Sequence, residues 1–306
     1  MRYQIVHATA YRYDGFVTLE PHVIRLRSRC DGWQKLHTFA LEVVPEPAGV
    51  SQIIDLEGND LVRVWFQEPT DHLIVKATSE IETFCTNPFN YLLEPWATQL
   101  PIDYPSSMLA HLQPYLLGSL MNGLYGADPI AVQFAQEISH AVDHNTTTFL
   151  GELNQRIYQT CQYVVRETGD PLPAGITWTQ KQGSCRDFAM LCIEVCRAVG
   201  LAARFVSGYQ EGDPEQQERD LHAWAEVYLP GAGWRGYDPT QGLAVSDRHI
   251  ALVASALPRQ AAPIMGNVRG GGGQSQMQHH LSIDRIEPSS SQSIGSSMHQ
   301  SMISSS

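Results

Sequence analysis

At 306 residues, with 43% hydrophobic and 17% charged side chains, the chain has enough apolar material for a full core and for two domains. A formal charge of −12, with no long Lys/Arg run to offset it, argues against nucleic acid or an anionic membrane surface as a partner. The start, Met1-Arg2-Tyr3-Gln4-Ile5, has no apolar signal core, and no stretch approaches the ~18 apolar residues of a membrane span. Six cysteines, at 30, 85, 161, 185, 192 and 196, show neither metal-ligand spacing nor a secreted disulfide pattern, so a reducing cytoplasm is the default expectation.

Residues 1–86 read as strands and turns without a helical pattern, which predicts an N-terminal β-sandwich-like domain. Within it, 22–30 alternates Ile24, Leu26 and Cys30 against Arg25, Arg27 and Arg29, a half-buried strand with a solvated basic face. Phe39, Leu41 and Val43 alternate next, and 72–84 places Leu73, Val75, Ala77 and Ile81 on one face. No chemistry is evident in this region. Residues 87–105 carry prolines at 88, 95, 101 and 105 and read as an ordered connector that buries Tyr91, Leu92, Leu93 and Trp96. A core over 106–287 follows, with helices expected at 106–118, 129–143 and 148–168, then a loop over 169–184. Strands are expected at 201–209, 221–229 and 234–238, a loop at 258–273 and a last strand at 279–286. From 288 to 306 the chain is Ser-rich with little to bury, so a disordered tail is expected. The pair His279-His280 lacks a ligand partner at fitting spacing, and metal is expected nowhere.

The stretch Gly183-Ser184-Cys185-Arg186-Asp187-Phe188 opens a helix that runs to about Gly200. Phe188, Leu191, Cys192, Val195 and Val199 form its apolar stripe, while Arg186, Asp187, Glu194 and Arg197 fall on the opposite face. Ser184 can cap the start and Gly200 can end it. Cys185 sits in the first turn, where unsatisfied N–H groups and the helix dipole favour a thiolate. Cys192 and Cys196, one turn apart, suit core packing better than a bridge.

Downstream, Leu221–Leu229 has strand period two, with His222, Trp224, Glu226 and Tyr228 on one face. Trp234, Gly236 and Asp238 share a face of the returning strand. If Asp238 lies opposite Trp224, His222 is its diagonal neighbour, roughly 7–8 Å away between backbones, a gap that an imidazole and a carboxylate can bridge. A slip of one residue would turn the two to opposite faces. Nucleophile, base and orienting carboxylate would then stand in order.

Four blocks, Gly183–Ala189, Gly200–Tyr209, His222–Tyr228 and Gly233–Thr240, together resemble the bacterial transglutaminase-like family in order and spacing. Two departures, Ala225 for a larger apolar residue and Gln241 where Asn often follows Pro-Thr, remove no member of the set. The resemblance spans roughly 1–287 and implies an α+β fold, a β-domain ahead of a papain-like core of helices on an antiparallel sheet. It also implies a triad of Cys185, His222 and Asp238. An acyl-enzyme route needs an oxyanion site, for which the backbone N–H of Cys185 is the natural first donor and Gln182 and Trp178 are candidate second donors. Trp224, Tyr228 and Trp234 are candidates to line the substrate site or to fill the core, and Glu226 reads as a structural carboxylate. The expected activity is attack on a carboxamide or peptide bond through a thioester resolved by water or an amine, without a cofactor and with a peptide or protein substrate. A non-catalytic interaction module that keeps the fold is the alternative.

Overall fold

The computed structural model describes residues 1–117, 127–166, 168–212, 219–270 and 275–286, together with the backbone of 120–121 and 124–125. The expected tail at 288–306, like residues 213–218, lies outside the described residues.

Six strands come first: β1 (Arg2–Leu19), β2 (His22–Ile24), β3 (Gln34–Val44), β4 (Gly49–Ile54), β5 (Asp60–Trp65) and β6 (Thr70–Thr83). The 72–84 alternation holds in β6, where Leu73, Val75, Ala77 and Ile81 are all buried. The strand expected at 22–30 is confined to β2, and the alternation fails beyond it: Arg25 is buried and donates to the Ala262 carbonyl at 3.1 Å, while Cys30 is exposed. The connector contains one short 3-10 turn, Pro95–Ala97, and leaves Leu92 and Trp96 exposed rather than buried.

The core then supplies α1 (Ser106–Leu116), the short strands β7 (Leu120–Met121) and β8 (Leu124–Tyr125), α2 (Pro129–Ala141) and α3 (Thr146–Thr160). The third helix stops at Thr160, short of the expected 168, because β9 (Gln162–Tyr163) pairs in parallel with β10 (Gln182–Gly183). The expected loop at 169–184 contains a helix, α4 (Ala174–Gln180). After α5 (Cys185–Ala198) come β11 (Ala203–Gln210), β12 (His222–Leu229), β13 (Gly233–Asp238), β14 (Leu243–Ala244) and β15 (His249–Ser255). These five strands form one antiparallel sheet in the order β14-β13-β12-β11-β15.

Three strands close the described chain: β16 (Ile264–Met265), β17 (Val268–Arg269) and β18 (Ser275–Arg285). They correct the division at 106–287, because they hydrogen-bond to β2 and β1 rather than to the core sheet. They also replace part of the loop expected at 258–273. The N-terminal region is thus two sheets, one built on β1, β3, β6, β17 and β18 and one in the order β16-β2-β5-β4. The N-terminal sheets are therefore built by chain from both ends of the sequence.

Helix α5 is enclosed on nearly every side. Its apolar stripe packs as expected, but Asp187, Glu194 and Arg197 are buried too. Arg197 is satisfied there by the carbonyls of Ala203 at 2.9 Å and Ala256 at 3.0 Å and by Glu194 at 3.4 Å. The helix ends at Ala198, and two residues on, Gly200 has a φ of +82°, costly for any residue with a Cβ.

Candidate active site

The tip of α5 is fixed by a capping box. Asp187 Oδ2 accepts from the Ser184 backbone N–H at 2.7 Å and from its hydroxyl at 2.8 Å, while Oδ1 accepts from Arg166 at 2.6 Å and from the Leu172 N–H at 2.7 Å. Burial pushes the Asp187 carboxyl up, but the Arg166 guanidinium and these N–H donors hold it below its ordinary value. The carboxylate therefore clamps the preceding loop to the helix that carries Cys185. Cys185 itself is buried at the first helical position, with Sγ 4.0 Å from the carbonyl of Leu221, the residue before β12.

Strands β12 and β13 pair Ala225 with Tyr237 and Glu226 with Gly236, and the next step of that register sets Trp224 against Asp238. This is the register that lets the imidazole and carboxylate meet, and His222 Nε2 lies 2.7 Å from Asp238 Oδ2. Asp238 is wholly buried, and Oδ1 accepts from the backbone N–H of Thr240 at 2.9 Å and Gln241 at 3.3 Å. Burial pushes its carboxyl up, but His222 and His249 more than offset that and hold it well below its ordinary value. For His222, burial disfavours the charged ring, yet Asp238 and then Cys185 push its pKa up to about 10. With Nε2–H given to a carboxylate, Nδ1 is the nitrogen left for the thiol.

His249 is a member of the site that sequence reasoning missed. From β15 its Nε2 reaches Asp238 Oδ2 at 3.1 Å, and its Nδ1 accepts from the Ser246 N–H at 3.4 Å, which assigns the proton to Nε2. Nothing in the spacing of the motif blocks points to it, since it lies on the far edge of the sheet. His222, Asp238 and His249 also offer three donor atoms within 4.8 Å of one another, a set that by type could hold a cation. As placed, both imidazole N–H groups are directed at one carboxylate oxygen.

Cys185 and His222 open onto a cleft of about 380 Å³. Of the expected oxyanion donors, Gln182 is exposed, and Trp178 is stacked on Phe134 at 3.7 Å; neither lines the cleft. Tyr163, on β9, does line it. Burial and then the charge of Cys185 push its phenol up to about 12, so the hydroxyl keeps its proton. The three aromatic candidates are packing residues. Trp224 is wholly buried, and Gly208, which pairs with His222 on the neighbouring strand, has no room for a Cβ, which would lie 2.4 Å from the indole. Trp224 and Trp234 border a separate 60 Å³ cavity, while Tyr228 meets the Trp234 ring at 5.5 Å. Glu226 pairs with Arg204 at 2.6 Å and Arg29 at 3.8 Å, as a structural carboxylate would.

Residues 132–239 match the family described as the Transglutaminase-like superfamily, and residues 3–82 match the Bacterial transglutaminase-like N-terminal region. The chain belongs to the transglutaminase-like superfamily. Among relatives of this superfamily member, Uncharacterized protein Rv2569c of Mycobacterium tuberculosis is 29% identical over 265 residues, 82% of each chain. The Protein-glutamine gamma-glutamyltransferase of Pseudomonas aeruginosa is 37% identical over 71 residues, 21% of this chain and 11% of that protein. A crystal structure from Cytophaga hutchinsonii, described as a presumptive cysteine protease, shares the transglutaminase-like fold with a TM-score of 0.68. It is 20% identical and covers 94% of this chain and 92% of its own.

Proposed function

We propose that the chain is a cysteine-dependent acyl-transfer enzyme acting on a carboxamide or peptide bond. The observation that carries this reading is the meeting of Cys185, at a capped helix tip, with His222, whose far nitrogen is held by buried Asp238. With the thiol proton already resting on His222 Nδ1, Sγ bonds as a thiolate to the carbonyl carbon. The carbonyl π pair moves to oxygen, where the first-turn N–H of Cys185 and the Tyr163 hydroxyl are the donors at hand. Collapse re-forms the carbonyl and breaks the C–N bond, and the imidazolium proton leaves with the amine. The thioester is then attacked by water or by a primary amine, with His222 taking the nucleophile's proton and Cys185 released.

Likeness to a protein named as a glutamine γ-glutamyltransferase favours the glutaminyl carboxamide as acyl donor. The test is a panel of glutamine-containing peptides, with and without a primary amine, read by mass spectrometry. Ammonia release alone assigns an amidase, amine incorporation a transferase and chain cleavage a peptidase; Cys185→Ala should abolish whichever is seen. A panel left unchanged, with Cys185 inert to iodoacetamide below the free-thiol pKa of about 8.5, would overturn the reading.

A further inference from the structure

The wall of the cleft that faces Cys185 comes from the N-terminal sheet. In the β1–β18 ladder His7 pairs with Leu281, Thr9 with His279 and Tyr11 with Met277. Alternate residues of a strand share a face, and all six of these side chains line the cleft. The strand pair is therefore built into the site, although nothing in the motif blocks involves it.

The polar part of this wall is ordered in depth. The Tyr209 hydroxyl lies 3.0 Å from His7 Nδ1, and His7 Nε2 lies 3.2 Å from Thr9 Oγ1. Burial, aided by His279, pulls the His7 pKa down to about 4, so the ring is neutral and has one donor and one acceptor nitrogen. Burial keeps the Tyr209 phenol protonated, so its O–H can donate to His7 Nδ1. With the ring proton on Nε2, Nε2–H donates to Thr9 and the Thr9 hydroxyl hydrogen is free for a group bound in the cleft. Of the charged groups around the rim, Asp220 is engaged with His279 at 2.6 Å, Arg166 with Asp187 at 2.6 Å and Arg186 with the Gly169 carbonyl at 2.8 Å, while Asp170 is exposed; the β1–β18 face itself presents no carboxylate, Lys or Arg to the cleft. Beside Thr9 the wall is apolar, through Tyr11, Ile264, Met277 and Leu281.

We propose that the β1–β18 face is a subsite for an uncharged peptide segment next to the scissile amide. The Thr9 hydroxyl donates to a substrate carbonyl, and Tyr11, Met277 and Leu281 receive an apolar side chain. This rests on the Cys185 reading above and adds what the substrate carries beside its reacting group.

The test measures binding apart from chemistry, using full-length Cys185→Ala protein and fluorescein-labelled pentapeptides with a central glutamine flanked by leucines, lysines or glutamates. Leucine-flanked peptide should bind at least tenfold more tightly than either charged one, as fluorescence anisotropy reads it. Adding Thr9→Val should weaken it about three- to tenfold, the range of one lost hydrogen bond, and Thr9→Ser should recover most of that. Circular dichroism checks that each variant folds. Equal binding of the three peptides, no binding of any, or indifference to Thr9→Val would each overturn the subsite. If the leucine peptide binds with Thr9 dependence while unaltered protein neither turns it over nor alkylates at Cys185, the subsite stands and the proposed chemistry falls.

Discussion

His249 donates to the same carboxylate oxygen of Asp238 that His222 uses, from 3.1 Å against 2.7 Å. Two donors on one oxygen leave the carboxylate no free rotation, because the backbone N–H groups of Thr240 and Gln241 hold the other. His249→Phe removes the second donor, and His249→Gln offers an amide in its place. The expected outcome is a fall of about ten- to a hundredfold in kcat for the phenylalanine variant with KM unchanged, partly restored by glutamine, since one hydrogen bond to a charged group contributes about 1.5–3 kcal/mol. A purely structural role would instead lower stability and leave the turnover of folded protein alone.

Asp238→Asn places an amide where two imidazole N–H groups converge. Either the amide oxygen takes that position and forfeits the charge, or its NH₂ group faces two donors. The first keeps the tautomer but no longer stabilises the imidazolium, and the second turns His222 to the wrong tautomer. A drop in kcat of about 10²- to 10⁴-fold is expected, with Cys185 alkylation slowed in step, because the carboxylate's work is to hold the tautomer and stabilise imidazolium. Stopped-flow alkylation and steady-state assay on the same sample check this.

The parts of this site that could be read in the sequence are those whose geometry is local. Cys185 at a capped helix start follows from the 3.6-residue period and the faces of β12 and β13 from the period of two, while the sequence leaves two registers open and the structure adopts the one that brings His222 to Asp238. Pairings between distant segments leave no such trace. His249 stands on β15 beyond β11, and Thr9 lines the cleft with Cys185 from a strand that β18 returns some 270 residues later to pair with. The arginines at 25–29 misled for the same reason, since Arg25 is buried by a carbonyl from Ala262 and Arg29 is drawn to Glu226 on another sheet. Alternation reports a face, and burial by remote chain overrides it.

The His222 imidazole offers a pH test with a definite sign. Its folded pKa of about 10 lies above the unfolded value of about 6.5, so its contribution to stability is fully present below 6.5 and is lost as pH rises toward 10. Asp238, held low, contributes in the opposite sense: its share is present above about 3.9 and is lost as pH falls through its folded value. Urea midpoints should therefore decline between pH 7 and pH 10 more steeply in the unaltered protein than in His222→Gln. The alkaline limb of kcat/KM should fall near the same pH 10, where the imidazolium is lost. Equal slopes in the two proteins would mean that His222 is not charged in the fold.

Tyr163 replaces Gln182 and Trp178 as the side-chain donor to test at the oxyanion. It lines the cleft beside Cys185, and its raised pKa keeps a proton on the hydroxyl through the working pH range. Tyr163→Phe removes that proton and little else, since the ring can keep its edge-on contact with Phe188, whose centroid is 6.5 Å away. Loss of one oxyanion donor typically costs about 10²–10³ in kcat, and the open setting of this phenol puts the expectation at the lower end. KM should change little, because the oxygen bears full charge only after Sγ has bonded to the carbonyl carbon. Gln182→Ala and Trp178→Phe serve as controls, with kcat expected within about twofold of the parent for folded protein. Should Gln182→Ala fall as far as Tyr163→Phe, the loop before α5 would have to move toward Cys185 during the reaction, and the phenol would lose its assignment.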